Sequence, residues 1–148
     1  MNLLQTIDQY NANYVYFGEA ITNNIMNNGK FIRIIYSTPL CILNGIYIYI
    51  NININSIEKY YNKFKCIFDI NYYRNIVERL RTIEECLLKK VNISGKCPQY
   101  KMNEHLRLGN IKVFSSTPDK IANFFLLKIA GIWETDSEYG ITYKFIAI

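Results

Sequence analysis

Residues 124–148 (FFLLKIAGIWETDSEYGITYKFIAI) constrain the fold more than any other part of this sequence. Two apolar runs of strand length flank an acidic connection at residues 134–140, which ends in a glycine. Because turn residues between two apolar runs favour antiparallel pairing, this pattern predicts a β-hairpin. Trp133 stands where the first strand is expected to end, and Lys144 lies between two aromatic residues of the second strand.

Residues 45–55 show the clearest alternation in the chain. Every second residue from 46 to 54 is isoleucine, whereas Tyr47, Tyr49 and three asparagines fall between the isoleucines. Since successive side chains of a strand point to opposite faces, this alternation predicts a half-buried strand with an aromatic and polar outer face.

Periodicity also predicts the remaining elements. Strand-like patterns occur at residues 13–18, 30–38, 63–69 and 111–114. Apolar residues spaced by three and four predict a helix across residues 71–91. We also expect a helical turn around residues 103–108 and a turn at residues 115–120, around Pro118.

The order of these elements is that of an OB-fold, in which strands precede a helix and further strands follow it. We therefore predict a mainly β (α+β) protein: an OB-like antiparallel Greek-key barrel with one principal helix between the third and fourth barrel strands. A chain of 148 residues is long enough for one core, so residues 1–148 are expected to form a single domain. Its apolar runs are too short to predict a membrane span, and its first residues lack the basic region of a secretory signal.

Basic residues are concentrated in the middle of the chain. The formal net charge is +5, and residues 58–112 contain twelve Lys or Arg but six Asp or Glu. The rest of the chain has five basic and six acidic residues. A basic stretch is often a solvated face, but an excess of this size also suits a polyanionic partner.

No pattern of catalytic or metal-binding residues is visible in the sequence. His105 is the only histidine, and the four cysteines form no CxxC pair. The cysteines are expected to be reduced, mostly buried thiols of an intracellular protein. The acidic residues Glu134, Asp136 and Glu138 predict a soluble hairpin tip rather than a cation site. We therefore expect no enzyme activity, no catalytic residues, no metal and no cofactor.

The sequence does suggest a binding surface that combines rings with cations. Unpaired bases stack on flat aromatic rings, and phosphates are neutralised by spaced lysines or arginines. The candidate nucleic-acid-binding residues are Phe31, Arg33, Tyr47, Tyr49, Lys63, Lys65, Lys128, Trp133 and Lys144. Two alternatives stay open, since Trp133 could plug a barrel end and the two tyrosines could pack under a loop.

The segment from residue 126 to residue 148 resembles the closing hairpin of a viral protein family. Residues 127–129 enter a Gly-Ile-Trp corner at residues 131–133, and residues 140–145 leave the loop. Residues 29–34 and 63–88 fit the same scheme. The family consists of OB-fold single-stranded DNA-binding proteins of large DNA viruses, including insect poxviruses, and is related to the DNA-binding protein of short-tailed phages.

This resemblance implies that the protein coats exposed single strands during viral DNA replication, recombination or repair, without sequence specificity. It also implies replication proteins as partners, and a location in the host cytoplasm or nucleus where viral DNA is replicated. Members typically carry a long acidic C-terminal tail, whereas this sequence ends in an apolar strand at Ile148. Tail-dependent recruitment therefore has no support from the sequence.

An interaction protein without a nucleic-acid role is the main alternative. Aromatic residues are enriched in protein interfaces, and the alternating asparagines of residues 47–55 are unusual for a phosphate-binding groove. On this reading the outer face of that strand forms a dimer or binds a host factor. The oligomeric state is open, with a dimer as one alternative. A third class of function is a small enzyme whose active site is assembled from scattered residues.

Overall fold

The structure is a computed structural model and describes residues 5–23, 29–114 and 123–148. Within these residues the protein is mainly β, with ten strands in one mixed sheet and two α-helices. The strands are β1 (Val15–Asn23), β2 (Gly29–Ser37), β3 (Ile42–Leu43), β4 (Ile46–Asn51), β5 (Ser56–Tyr60), β6 (Lys63–Ile67), β7 (Cys97–Gln99), β8 (Asn110–Val113), β9 (Phe124–Glu134) and β10 (Glu138–Ala147). The helices are α1 (Arg74–Val91) and α2 (Lys101–Arg107). The predicted turn at residues 115–120 lies outside the described residues.

The predicted closing hairpin is the centre of the sheet. Along one edge β9 pairs with β10. Along its other edge β9 pairs first with β4, through residues 124–129, and then with β2, through residues 131–134. The residue between these two stretches, Ala130, is extra in the register with β10. Because a bulge bends a strand and increases its twist, the sheet turns a corner where β9 changes partner.

The fold prediction is confirmed as mainly β but needs three corrections, the first being that α1 follows six described strands rather than three. The main path through the sheet is β1-β2-β9-β10-β8-β6-β5, and the described strands do not close into a barrel. In addition, β10 runs parallel to both β7 and β8, so the sheet is not purely antiparallel. The reason is that β7 and β8 follow α1 and α2, which bring the chain back in the direction of β10. Periodicity shows where strands lie but not their direction.

The core lies between the inner face of the sheet and α1. The helix predicted at residues 71–91 begins at Arg74 and ends before Asn92, which has a left-handed φ of 40°. Its apolar stripe packs inward, and the isoleucines of β4 alternate into the same core, as predicted. Fully buried members include Ile46, Ile48, Leu80, Leu127 and Ile129. None of the described helices is long and apolar enough to cross a membrane.

Three local predictions differ from the structure. The strand predicted over residues 45–55 ends at Asn51, and a hairpin partner of β6, β5, begins five residues later. The acidic connection is shorter than the predicted residues 134–140, because β9 continues to Glu134. Glu134 is buried and paired with Lys96. Glu134 is therefore not part of a solvated tip. The thiols of Cys86 and Cys97 are exposed, contrary to the expectation of mostly buried cysteines.

Candidate nucleic-acid interface

Seven of the nine predicted site residues lie on the outer face of the central strands. In β2, β4 and β9 these side chains alternate with fully or largely buried apolar residues, so they point away from the core. The register places Phe31 opposite Trp133, Tyr47 opposite Lys128, and Lys128 opposite Lys144. The seven residues are Phe31, Arg33, Tyr47, Tyr49, Lys128, Trp133 and Lys144.

Four lysines form a line across four neighbouring strands. Lys128 of β9 is opposite Lys144 of β10, and Lys112 of β8 is opposite Lys65 of β6. Phe145 of β10 is paired with Val113 of β8, and these two strands run parallel. Lys144 and Lys112, the residues directly before this pair, are therefore neighbours and join the two lysine pairs. We call Lys128, Lys144, Lys112 and Lys65 the lysine row. It joins Lys65 to the central face, although β6 lies away from the closing hairpin.

The Lys128–Lys144 pair of the lysine row is electrostatically unfavourable in the isolated protein. Like charges directly opposite one another on a sheet destabilise it. Among the described residues, Lys65, Lys128 and Lys144 take part in no salt bridge. The Nζ atom of Lys128 instead lies 5.5 Å from the centre of the Tyr47 ring. A polyanion would relieve this repulsion, because its phosphates would lie between the lysines.

Two outer-face aromatic rings lie next to glycines of the sheet. A Cβ atom on Gly140 would be 2.7 Å from Cζ2 of Trp133, and one on Gly131 would be 2.5 Å from Cζ of Phe31. The absence of side chains at these glycines therefore creates the space in which the rings lie. Trp133 is half-buried on the outer face, rather than pointing into the core as a plug would.

The two tyrosines of β4 are also half-buried on the outer face. The ring of Tyr47 lies beneath the ammonium group of Lys128. Tyr49 stacks on Phe124 with ring centres 5.7 Å apart and an angle of 23° between the ring planes. Phe124 is 40% exposed, so this stacked pair is accessible at the edge of the face. The rings thus pack against the strand β9 and not under a separate described loop.

Lys63 lies apart from the central face and borders a cleft beside the lysine row. Its Nζ atom is 4.9 Å from the centre of the Phe114 ring. The cleft has a volume of about 210 Å³ and lies between α2 and the strands β6, β8 and β10. We call it the α2 cleft; its lining includes Lys63, His105, Asn110, Lys112, Phe114, Tyr143 and Lys144.

Two titratable groups of the α2 cleft are hydrogen-bonded to each other. Nδ1 of His105 is 2.8 Å from the hydroxyl of Tyr143. Burial raises the pKa of Tyr143 well above its ordinary value, so this phenol stays protonated. Burial and, next, the charge of Lys112 lower the pKa of His105. The imidazole is therefore neutral at neutral pH.

Sequence reasoning missed Lys112, Phe114 and Phe124 as members of this surface. Lys112 had a usable signal, since it is a single lysine between Ile111 and Val113 in a predicted strand. This signal alone does not place Lys112 in the surface, however, because only the pairing of β8 with β6 and β10 aligns Lys112 with the other lysines. No group of His, Cys, Asp and Glu that could hold a metal occurs within the described ranges.

No family model, curated protein or solved structure matches this chain. The features of this chain that point to a function are the lysine row, the aromatic rings beside it and the α2 cleft.

Proposed function

We propose that the protein binds single-stranded DNA on the outer face of its central strands, without sequence specificity. The observation that carries the proposal is the lysine row, which sets Lys128 against Lys144 and Lys112 against Lys65. The opposed Lys128 and Lys144 cost stability in the free protein, and this cost is compensated when phosphates neutralise them. The mid-chain excess of basic residues supports the same conclusion.

The aromatic residues beside the row favour a single strand over a duplex. Bases in a duplex already stack on one another, whereas unpaired bases offer their flat faces to protein rings. Tyr47 adjoins the row through Lys128, and the Tyr49–Phe124 pair extends the aromatic surface along β4. Lysines and rings act on phosphates and base faces, which every nucleotide shares. Binding without sequence preference follows from this chemistry.

The OB-like barrel and the biological role are parts of the same proposal. The corner at Ala130, where β9 passes from β4 to β2, is the kind of bend from which OB-like barrels are built. The resemblance of residues 126–148 supports a role in coating exposed strands during viral DNA replication, recombination or repair. Replication proteins would be the partners, at sites of viral DNA synthesis in the host cell. The proposal is one of binding without catalysis.

A fluorescence titration with oligo-dT, duplex DNA and poly-U at two salt concentrations tests this function. We expect oligo-dT to bind more tightly than the duplex. If about four to six phosphates are neutralised, the logarithm of affinity should fall with the logarithm of salt at a slope of roughly −3 to −4. Folded protein that does not bind oligo-dT at low salt would exclude the proposal, and tighter binding of poly-U would reassign it to RNA.

A second candidate function is self-association or host-factor binding through the outer face near β1. Tyr16 and Ile21 are 55% and 56% exposed, and Ile42 of β3 is 73% exposed. Exposed apolar residues beside an edge strand are typical of protein interfaces. Sedimentation of the free protein distinguishes the two candidates, because only this one predicts a dimer that substitution of Tyr16 and Ile21 would dissociate.

A further inference from the structure

The α2 cleft contains a buried hydrogen-bond acceptor that has no donor. Asn110 is 5% exposed, and its Oδ1 atom forms no hydrogen bond. Buried side-chain oxygens in folded proteins nearly always have a partner, and an unpaired one is destabilising. Asn110 lines the cleft, but this oxygen has almost no exposed surface, so a ligand there reaches it only after the Asn110 side chain has turned.

The cleft can also present a hydrogen-bond donor. Nδ1 of His105 shares a hydrogen bond with the Tyr143 hydroxyl, which accepts when Nδ1 carries the proton and donates when Nδ1 is unprotonated. In the second case the other nitrogen of the neutral imidazole, Nε2, carries the proton. In that tautomer the Nε2–H group of His105 can donate to an acceptor on a ligand.

Three cations and an aromatic ring complete the lining. Lys63, Lys112 and Lys144 border one cleft of about 210 Å³, and Phe114 at its rim is 60% exposed. A phosphodiester within a strand carries one negative charge, whereas a phosphate monoester carries about 1.5 to 2 at neutral pH. Three lysines around so small a space suit the more highly charged group. The ring offers a surface on which a base can stack.

We propose that the α2 cleft binds a phosphate monoester carried by a nucleoside, as at a phosphorylated end of a single strand. This inference rests on the proposed function, because Lys112 and Lys144 belong both to the lysine row and to the cleft. A strand held along the row can thus place its terminal nucleotide in the cleft. A free nucleoside monophosphate has the same chemistry and is the other source of the ligand.

Competition between end-modified oligonucleotides tests the inference. Unlabelled oligo-dT with a 5′-phosphate, a 3′-phosphate or hydroxyls at both ends competes with an internally labelled oligo-dT. One phosphorylated form should compete about tenfold better than the hydroxyl form, the effect of one additional charge-assisted hydrogen bond. In parallel, calorimetry with thymidine monophosphate and thymidine measures binding of the free nucleotide to the cleft.

Variants locate the preference within the molecule. Lys63→Ala should abolish the preference for the phosphorylated end while the hydroxyl oligonucleotide still binds. Lys128→Ala, in the row but outside the cleft, should weaken both competitors and preserve their ratio. Lys89→Ala, on α1 and outside both sites, should change neither. Phe114→Ala provides a second test, because loss of stacking at the rim should weaken the phosphorylated competitor more than the hydroxyl one.

The outcomes separate this inference from the proposed function. If all three oligonucleotides compete equally and thymidine monophosphate binds no better than thymidine, the cleft assignment is wrong although strand binding stands. If the labelled oligonucleotide does not bind at all, the proposed function fails. In that case a calorimetric preference for the monophosphate, lost in Lys63→Ala, would support the cleft as a site for free nucleotides.

Discussion

The carboxylate of Glu84, on α1, accepts a hydrogen bond from the backbone N–H of Met102, in the first turn of α2, at 3.0 Å. A second bond, of 2.9 Å, comes from the backbone N–H of Asn103. Glu84 is fully buried, and burial raises its pKa although the two hydrogen bonds oppose that shift. The first N–H groups of a helix have no partner within the helix. Glu84 thus satisfies two of them for α2, which also carries His105.

Removal of this carboxylate should destabilise the protein more than most single substitutions. Glu84→Ala leaves two amide groups at the start of α2 without acceptors, and the free energy of unfolding should fall by about 2–5 kcal/mol. Glu84→Gln keeps one acceptor and should cost less. Urea denaturation measures both values. Glu85→Ala is the matched control: its exposed side chain pairs with Arg81 on the helix surface, and its loss should cost far less. Equal losses at the two positions would contradict the capping role.

The raised pKa of Glu84 predicts a definite sign for the pH dependence of stability. Its folded-state pKa lies above the ordinary value of 4.5, so folding takes up protons between these two pKa values. The contribution of Glu84 to stability is full below pH 4.5 and is lost as the pH rises through the folded-state pKa. Wild-type protein should therefore lose stability relative to Glu84→Gln as the pH rises. Denaturation of both proteins across this range gives the difference, and a constant or opposite difference would refute the prediction.

The course of α1 could be predicted from sequence, but the partner of Glu84 could not. Apolar spacing identified the helix because burial of one helical face leaves a periodic pattern. Glu84 falls within that helix, and its carboxylate gives no local sign that it binds amides eighteen and nineteen residues later. Such contacts depend on how two helices pack against each other. The periodicity of one helix holds no information about that packing.

The lysine row should bind DNA at the expense of stability. Lys144 opposes Lys128 and adjoins Lys112, so Lys144→Ala relieves repulsion in the free protein and should raise the free energy of unfolding by about 0.2–1 kcal/mol. The same change should weaken oligo-dT binding and flatten the salt slope by about 0.7. Stability and affinity moving in the same direction would contradict this account.

Substitution at the β6 end of the basic surface gives an independent measure. The double change Lys63→Ala and Lys65→Ala should weaken oligo-dT binding and flatten the salt slope by up to about 1–2 units, because two cations are removed. Fluorescence titration at several salt concentrations measures the slope, and Lys89→Ala is the control. An unchanged slope in folded protein would confine the interface to the central strands.

The tyrosines of β4 should affect affinity without affecting its salt dependence. Tyr47→Ala with Tyr49→Ala removes rings rather than charge, so affinity should fall by about 1–3 kcal/mol for each base that was stacked, while the salt slope stays nearly constant. The double variant is compared with wild type in the same titrations. If it instead dissociates a dimer in sedimentation and binds oligo-dT normally, the outer face is a protein interface.

Gly131 should tolerate no side chain. A Cβ atom there would lie 2.3 Å from the backbone oxygen of Ile32, which cannot move without distorting β2. Gly131→Ala should therefore lower the free energy of unfolding by about 1–3 kcal/mol. Gly18 is the matched control, because its Cβ would meet nothing closer than 3.6 Å and Gly18→Ala should be nearly neutral. Thermal and urea denaturation compare the two variants.

The binding face itself could be predicted only in parts. Alternation assigned Tyr47 and Lys128 each to the outer side of a strand, but these residues are far apart in sequence and meet only through the register of β4 with β9. The hairpin of β5 with β6 escaped prediction because its turn contains Tyr61, at a φ of 54°, rather than a glycine. Long-range packing sets the direction of a strand, its register with its neighbours and the position of turns that lack glycine. The pattern of a single segment does not predict these features.

The central position of β9 has a consequence for synthesis of the chain. Strand β4 is made early and, among the described strands, pairs with β9 alone. On a nascent chain the edge of β4 that pairs with β9 therefore stays open until residues 124–129 leave the ribosome. Non-local pairing of this kind slows folding and leaves apolar strands open to aggregation. Translation that stops before residue 124 should yield an insoluble fragment, whereas the complete hairpin should allow the protein to fold.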